Sequence, residues 1–141
     1  MRTPWHLWAV GGASLIWHAG GAFDYLMSHL RPAFYMEMMP PGMVAYLDAY
    51  PAWATAAWAV GVWGAVLGSV LILLRSRRAV PVLWLAMAGL VVNTAHTYLI
   101  AEGNLEALTG PAARLFTLGI FVILALVLAY AGRQRGLGRL R

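Results

Sequence analysis

The chain has no cysteine and no lysine, and only five acidic residues. Without cysteine there can be no disulfide, no thiolate nucleophile and no thiolate metal ligand. Without lysine, all ten basic residues are arginines, and most fall within a turn or two of the ends of apolar segments. The formal charge of +5 is therefore explained by membrane topology and lipid headgroups, and nucleic acid is not expected as a partner. Catalytic constellations are missing too. No nucleophile stands beside a base, no carboxylate pair lies inside an apolar segment, and no glycine-rich loop is built to cradle a phosphate. An enzymatic role is disfavoured on that basis.

What remains is apolar: 62% of the 141 residues are hydrophobic and 11% are charged, and the mean hydropathy is +0.71. That leaves little sequence for a water-soluble domain. Four apolar stretches, at about residues 5–25, 52–74, 81–101 and 112–131, are each roughly 20 residues or about 30 Å as helix, enough to cross a bilayer. The expected fold is all-α: one transmembrane domain over residues 1–141, with four spanning helices. Met1 and Arg2 before an apolar run that ends near Gly20, Gly21 and Ala22 have the outline of a signal peptide; the segment is read as a first transmembrane helix.

Charge sign alternates between the gaps. Arg2, the link with Arg75, Arg77 and Arg78, and the tail with Arg133, Arg135, Arg139 and Arg141 occupy one side; Asp24, Glu37, Asp48, Glu102 and Glu106 occupy the other. The positive-inside rule makes the arginine side cytoplasmic, so both termini are expected there, in a bacterial inner membrane. Arg31 and Arg114 fall among the acids, where pairing with Glu37, Asp48 or Glu106 would tie the loops together.

The connection from Leu26 to Pro51 is too apolar for a solvated loop and is read as an interfacial segment. After Pro41, residues Met43, Tyr46, Leu47 and Tyr50 follow helical spacing, with Asp48 off that stripe. The connection from Glu102 to Pro111 is short and polar, has a turn signal at Gly103-Asn104, and is read as purely connective. Helix packing is expected at Gly61, Gly64 and Gly68, which let backbones approach closely. The last segment, bulky and nearly without polar groups, is expected to face lipid or a partner.

Polar groups at membrane depth mark candidate sites, because each must be paired or face a cavity. His18 stands in the first segment, and Asn93, His96 and Thr97 share one face of the third at i, i+3 and i+4. Three readings stay open: hydrogen bonds that fix helix register, haem or metal ligation by the two histidines, or a proton or substrate path that includes the outer carboxylate Asp24. Methionines at 36, 38 and 39 (Met36, Met38, Met39) near His29 suggest a soft Cu(I) site in outline, although methionine is also an adaptable packer. Tryptophans near the segment ends suit interfacial anchoring.

The run Phe23-Asp24-Tyr25-Leu26-Met27, the Pro51-Ala52-Trp53 start of the second segment, its Trp58 to Ala65 and Leu67-Gly68-Ser69 stretches, and the Leu74-Arg75-Ser76-Arg77 close resemble a family of small bacterial inner-membrane proteins with four helices, sometimes loosely labelled "sugar transporter". The likeness covers roughly the first hundred residues and leaves out His29 and the Met36–Met39 run. It implies the same membrane fold and brings no assigned active site. The functional expectation is a non-catalytic membrane protein, first an accessory or stabilising subunit of a larger membrane complex or homo-oligomer. A small oligomeric transporter or channel, or a haem- or metal-binding protein, are the alternatives.

Overall fold

The computed structural model describes residues 4–101 and 105–141, and these are all helix or connection. The helices are α1 (Trp5–Leu30), α2 (Ala33–Met36), α3 (Met43–Asp48), α4 (Ala52–Leu73), α5 (Ala79–Ala95, continued by a π turn His96–Ile100), α6 (Leu105–Thr109) and α7 (Ala112–Gly136). Among the described residues three segments, Ala52–Leu73, Ala79–Ile100 and Ala112–Gly136, are long and apolar enough to cross a membrane. α1 has the length, but His18, Asp24 and its glycines and serines dilute its hydropathy.

Proline sets many of the boundaries. Pro4, Pro32, Pro51 and Pro111 directly precede α1, α2, α4 and α7, where the missing N–H is one the helix start would leave unpaired anyway. α1 runs beyond the expected end at Tyr25 because Met27 and Leu30 keep it favourable past the polar Asp24. It stops where Arg31 turns left-handed (φ 51°) and donates its N–H to Met27 O at 2.9 Å, ahead of Pro32. α7 likewise outlasts its apolar run, because Arg133, Gln134 and Arg135 are good helix formers.

α4 packs most extensively on α5 and next on α1, while α5 also holds α7 and α1 meets α7 sparsely. Along α4, a Cβ built on Gly61 would lie 3.2 Å from Leu90 N, on Gly64 3.0 Å from Ala86 Cβ, and on Gly68 2.4 Å from Leu83 Cδ2. The α5 numbers fall as the α4 numbers rise, so the pair is antiparallel and the three glycines are its seam. From the other side, a Cβ on Gly89 would stand 2.7 Å from both Ala57 O and Gly61 N. Only glycine permits that approach.

The two ends of the bundle differ. At the end carrying Arg75, Arg77 and Arg78, the core closes around Leu7, Ile72, Ala79, Leu83, Leu128, Ala131 and Leu140. The tail is part of this closure: Arg141 N–H donates to Arg75 O at 2.6 Å, and Arg77 N–H donates back to Arg141 O at 3.0 Å. Leu140 is thereby fully buried.

At the opposite, acidic end, short helices form a cover. α3 corresponds to the expected amphipathic turn, with Tyr46 buried, whereas α2 was not anticipated. The last connection is more than a link: α6 occupies its second half, and Leu108 Cδ2 would lie 3.1 Å from a Cβ on Gly42, whose φ is 87°. The Gly103-Asn104 turn, Arg2 and Glu102 lie outside the described residues. Arg31 pairs with Asp48 at 2.7 Å, joining α1 to α3, and Arg114 pairs with Glu106 at 2.6 Å, joining α7 to α6.

Candidate functional site

Between α1, α4, α5 and α7, in the half of the bundle toward the acidic end, lies a cavity of about 650 Å³. Small residues make the space. Gly20, Gly21, Gly61 and Ala65 line it, and a Cβ on Gly20 would meet nothing within 4 Å. Its depth ends near His18, Ala65 and Leu124, where the packed core begins. Trp17 of α1 and Phe116 of α7 approach with ring centroids 6.1 Å apart at its side. The volume falls in the range of small-molecule sites.

His18 is on the inner wall, 7% exposed. Its Nδ1 is 2.9 Å from Ser69 Oγ of α4, and Ser69 Oγ donates to Ala65 O at 3.0 Å. A hydroxyl has one proton, so Ser69 must accept from His18, which makes Nδ1 the protonated nitrogen and leaves Nε2 with a lone pair. That Nε2 is buried without a hydrogen-bond partner. The face of α1 that carries Gly11, Ser14, His18, Gly21 and Tyr25 turns toward α4: Gly11 and Ser14 are buried, Gly21 faces Val62, and Tyr25 packs edge-on to Trp58 with centroids 5.0 Å apart.

Asn93 and Thr97 line the cavity on α5 together with Thr94 and Tyr98, helped by the π turn whose Ala101 N–H reaches back to His96 O at 2.8 Å. Tyr50, from the cover, ties the face together. Its hydroxyl donates to Asn93 Oδ1 at 2.6 Å and lies 3.1 Å from Thr97 Oγ1, and its ring meets His96 edge-on at 4.5 Å. Burial pushes the Tyr50 phenol up to about 12, so it remains a neutral donor across ordinary pH. Because Asn93 Oδ1 is taken by this bond, its amide nitrogen is the group left to donate. Tyr98 spans the cavity to Thr117 of α7, 3.0 Å away.

His96 belongs elsewhere. It is buried against Tyr50 and Trp53, its Nδ1 has no hydrogen-bond partner, and it does not line the cavity. His18 lines the cavity and His96 does not, so the two histidines do not share its wall. The helix spacing that put His96 beside Asn93 and Thr97 corresponds in the structure to their common attachment to Tyr50.

Asp24 lines the cavity toward the acidic end and accepts a hydrogen bond from the Tyr35 hydroxyl of α2. Tyr35 is held above the usual phenol range, first by burial and then by its bond to Asp24 and that carboxylate's charge. Asp24 is the charged residue among the described residues lining the cavity. His29 is outside the cavity: its Nδ1–H donates to Tyr25 O at 2.8 Å, and its ring stacks on Tyr25 at 4.2 Å. Met36 and Met39 are half-buried and Met38 is 77% exposed. Among the described residues no group of three His, Cys, Asp or Glu side chains could hold a metal ion.

Ser69, Tyr50, Tyr35 and Trp58 are among the site residues that sequence reasoning missed, as are Tyr98 and Thr117 on the cavity wall. Ser69 alone had a local signal, as the polar member of the α4 small-residue stripe four positions after Ala65. The tyrosines reach the site from the cover, which no periodicity of the long helices can report. Compared with known proteins, the chain matches no family model, no curated protein and no solved structure.

Proposed function

We propose that this is a non-catalytic, four-span membrane protein that binds a small amphipathic molecule within the bilayer, with the arginine end cytoplasmic and the cavity in the outer half of the membrane. The observation that carries the reading is the 650 Å³ cavity itself. Helix bundles in lipid gain stability from close packing, and a recess this large, open at the side where Gly20 and Phe116 are exposed, leaves its inner wall without packing contacts unless a molecule fills it. Its walls are mostly apolar with a few hydrogen-bonding groups, the usual make-up of a small-molecule site. The packed core beneath makes it blind toward the arginine end, which suits a binding site or one state of a carrier.

The accessory-subunit reading rests on α7, where Leu115 is 73%, Leu118 59% and Leu126 65% exposed. Lipid covers such a face as well as a partner does, so the cavity carries the conclusion.

Purification in mild detergent, followed by native mass spectrometry and a visible spectrum, tests the binding. A small molecule should accompany the wild type and be lost from Gly20→Leu, whose new side chain extends into open space. If nothing beyond detergent and bulk lipid is retained, or if Gly20→Leu retains it equally, the reading fails. Because the chain has no native cysteine, single cysteines at Glu37 and Ser76 test orientation. In intact spheroplasts an impermeant maleimide should label the first and spare the second.

A further inference from the structure

The cavity has an electrostatic sign as well as a volume. Asp24 is its charged lining residue, and the two cations at that end are taken by other acids: Arg31 sits 2.7 Å from Asp48, and Arg114 sits 2.6 Å from Glu106. Among the described residues, the hydrogen-bond partner of Asp24 is the Tyr35 hydroxyl. That bond orients the carboxylate without neutralising it, and leaves its other lone pairs to accept. The arginines that could offset it across the protein stand at the far end of the bundle, more than a Debye length of helix away.

The walls complement a positive charge in a second way. Trp17, Trp58, Tyr98 and Phe116 all line the cavity, and aromatic faces attract cations through their quadrupoles, most strongly when water is excluded. The remaining polar lining groups are Asn93, Thr94, Thr97 and Thr117, which carry no charge, and His18 at the inner end, whose Nδ1–H is bound to Ser69 and whose Nε2 offers a lone pair. An anion entering here would meet a carboxylate and no cation. A hydrophobic cation would bury apolar surface, place its charge near Asp24 and leave no buried charge unpaired.

Resting on the reading of this cavity as a binding site, we propose that its ligand is an amphipathic organic cation, such as an alkyl or aryl ammonium, with its charge toward Asp24 and its apolar part between Trp17, Trp58 and Phe116. The ammonium can come from a soluble amphiphile or from a lipid headgroup, and the chemistry of recognition is shared.

The test uses two ions of nearly equal shape and opposite charge, tetraphenylphosphonium and tetraphenylborate, titrated against the full chain in phosphatidylglycerol nanodiscs with tryptophan fluorescence as the readout. The variants are Asp24→Asn, which still accepts from Tyr35, Asp24→Glu, which restores the charge, and Gly20→Leu, which fills the space. Phosphonium affinity is expected to fall at least tenfold in Asp24→Asn and to recover in Asp24→Glu, while borate affinity is unchanged or rises in Asp24→Asn.

Equal phosphonium affinity in the wild type and Asp24→Asn, or an equal loss for both ions, overturns the charge preference; so does the absence of phosphonium binding to the wild type. The binding site itself survives the first two results if Gly20→Leu still abolishes binding, and falls with the proposal if Gly20→Leu has no effect. Adding phosphatidylethanolamine to the discs separates the two sources: competition with the phosphonium supports a lipid headgroup, and its absence supports a soluble cation.

Discussion

The two halves of the bundle are made from similar residues and pack in opposite ways. Toward the arginine end, branched side chains meet: Leu7, Ile72 and Leu83 are fully buried, and the tail inserts Leu140 among them. Toward the acidic end the same helices present Gly20, Gly21, Gly61 and Ala65 on one side and rings on the other, and a cavity remains. Small residues thus have two uses in this chain. Between α4 and α5 they bring backbones into contact, and between α1 and α7 they leave room. The difference is the neighbour: Gly61 and Gly89 face another backbone, while a Cβ on Gly20 would meet nothing within 4 Å.

Substitutions that treat the halves alike should have unlike effects. The largest is expected for Leu83→Ala, which empties a fully buried position and should cost about 2–5 kcal/mol in reversible unfolding. Ile120→Ala, on the cavity wall, should cost well under half as much, because part of its surroundings is already void; equal costs would mean the two halves are packed alike.

Gly89→Ala comes next. Its Cβ would fall 2.7 Å from the backbone of Ala57 and Gly61, and the forced separation of α4 and α5 should cost about 1–3 kcal/mol. Gly20→Ala should be neutral within error in the same unfolding assay.

Ser69→Ala removes the acceptor for His18 Nδ1–H at the boundary between the halves. A loss of about 1 kcal/mol is expected, with Ser69→Thr tolerated only if its methyl finds space beside a residue that is already fully buried.

The smallest effect is on pH. The Tyr50 phenol is raised in the folded protein to about 12, whereas it titrates near its ordinary value of about 10 when unfolded. The folded state therefore holds the proton longer. The stability this contributes is complete below pH about 10 and is lost as pH rises toward about 12. Limited proteolysis of the cover should accelerate over that window and not below it, and Tyr50→Phe should flatten the response. The arginine end has a tyrosine of its own, Tyr130, whose hydroxyl lies 2.6 Å from His6 Nδ1, so Tyr50→Phe should leave any response at that end unchanged.

Much of the fold was legible. The helical turn expected at Met43 to Tyr50 appears as α3, and the expected pairing of Arg31 and Arg114 with acids at their end of the bundle is realised with Asp48 and Glu106. These are local matters of hydropathy, spacing and charge. The extension of α1 to Leu30 and the presence of α2 and α6 were not legible, since short helices in a cover are decided by what they pack on. At the site, Asn93 and Thr97 could be grouped from spacing alone. The attachment of both to Tyr50, and the withdrawal of His96 behind Tyr50 and Trp53, could not.

By itself, the amino-acid sequence determined that the long apolar segments are helices and that charge of each sign gathers at opposite ends. An apolar chain must satisfy its backbone internally in lipid, and charges are excluded from the apolar runs wherever they occur. Only the tertiary structure decided which small residues touch and which stand apart, and hence that His18 is paired to Ser69, that Asp24 overlooks a cavity, and that the cavity lies in one half. Those outcomes depend on the rotation and splay of each helix against its neighbours, which every side chain along the interface sets jointly and no single segment encodes.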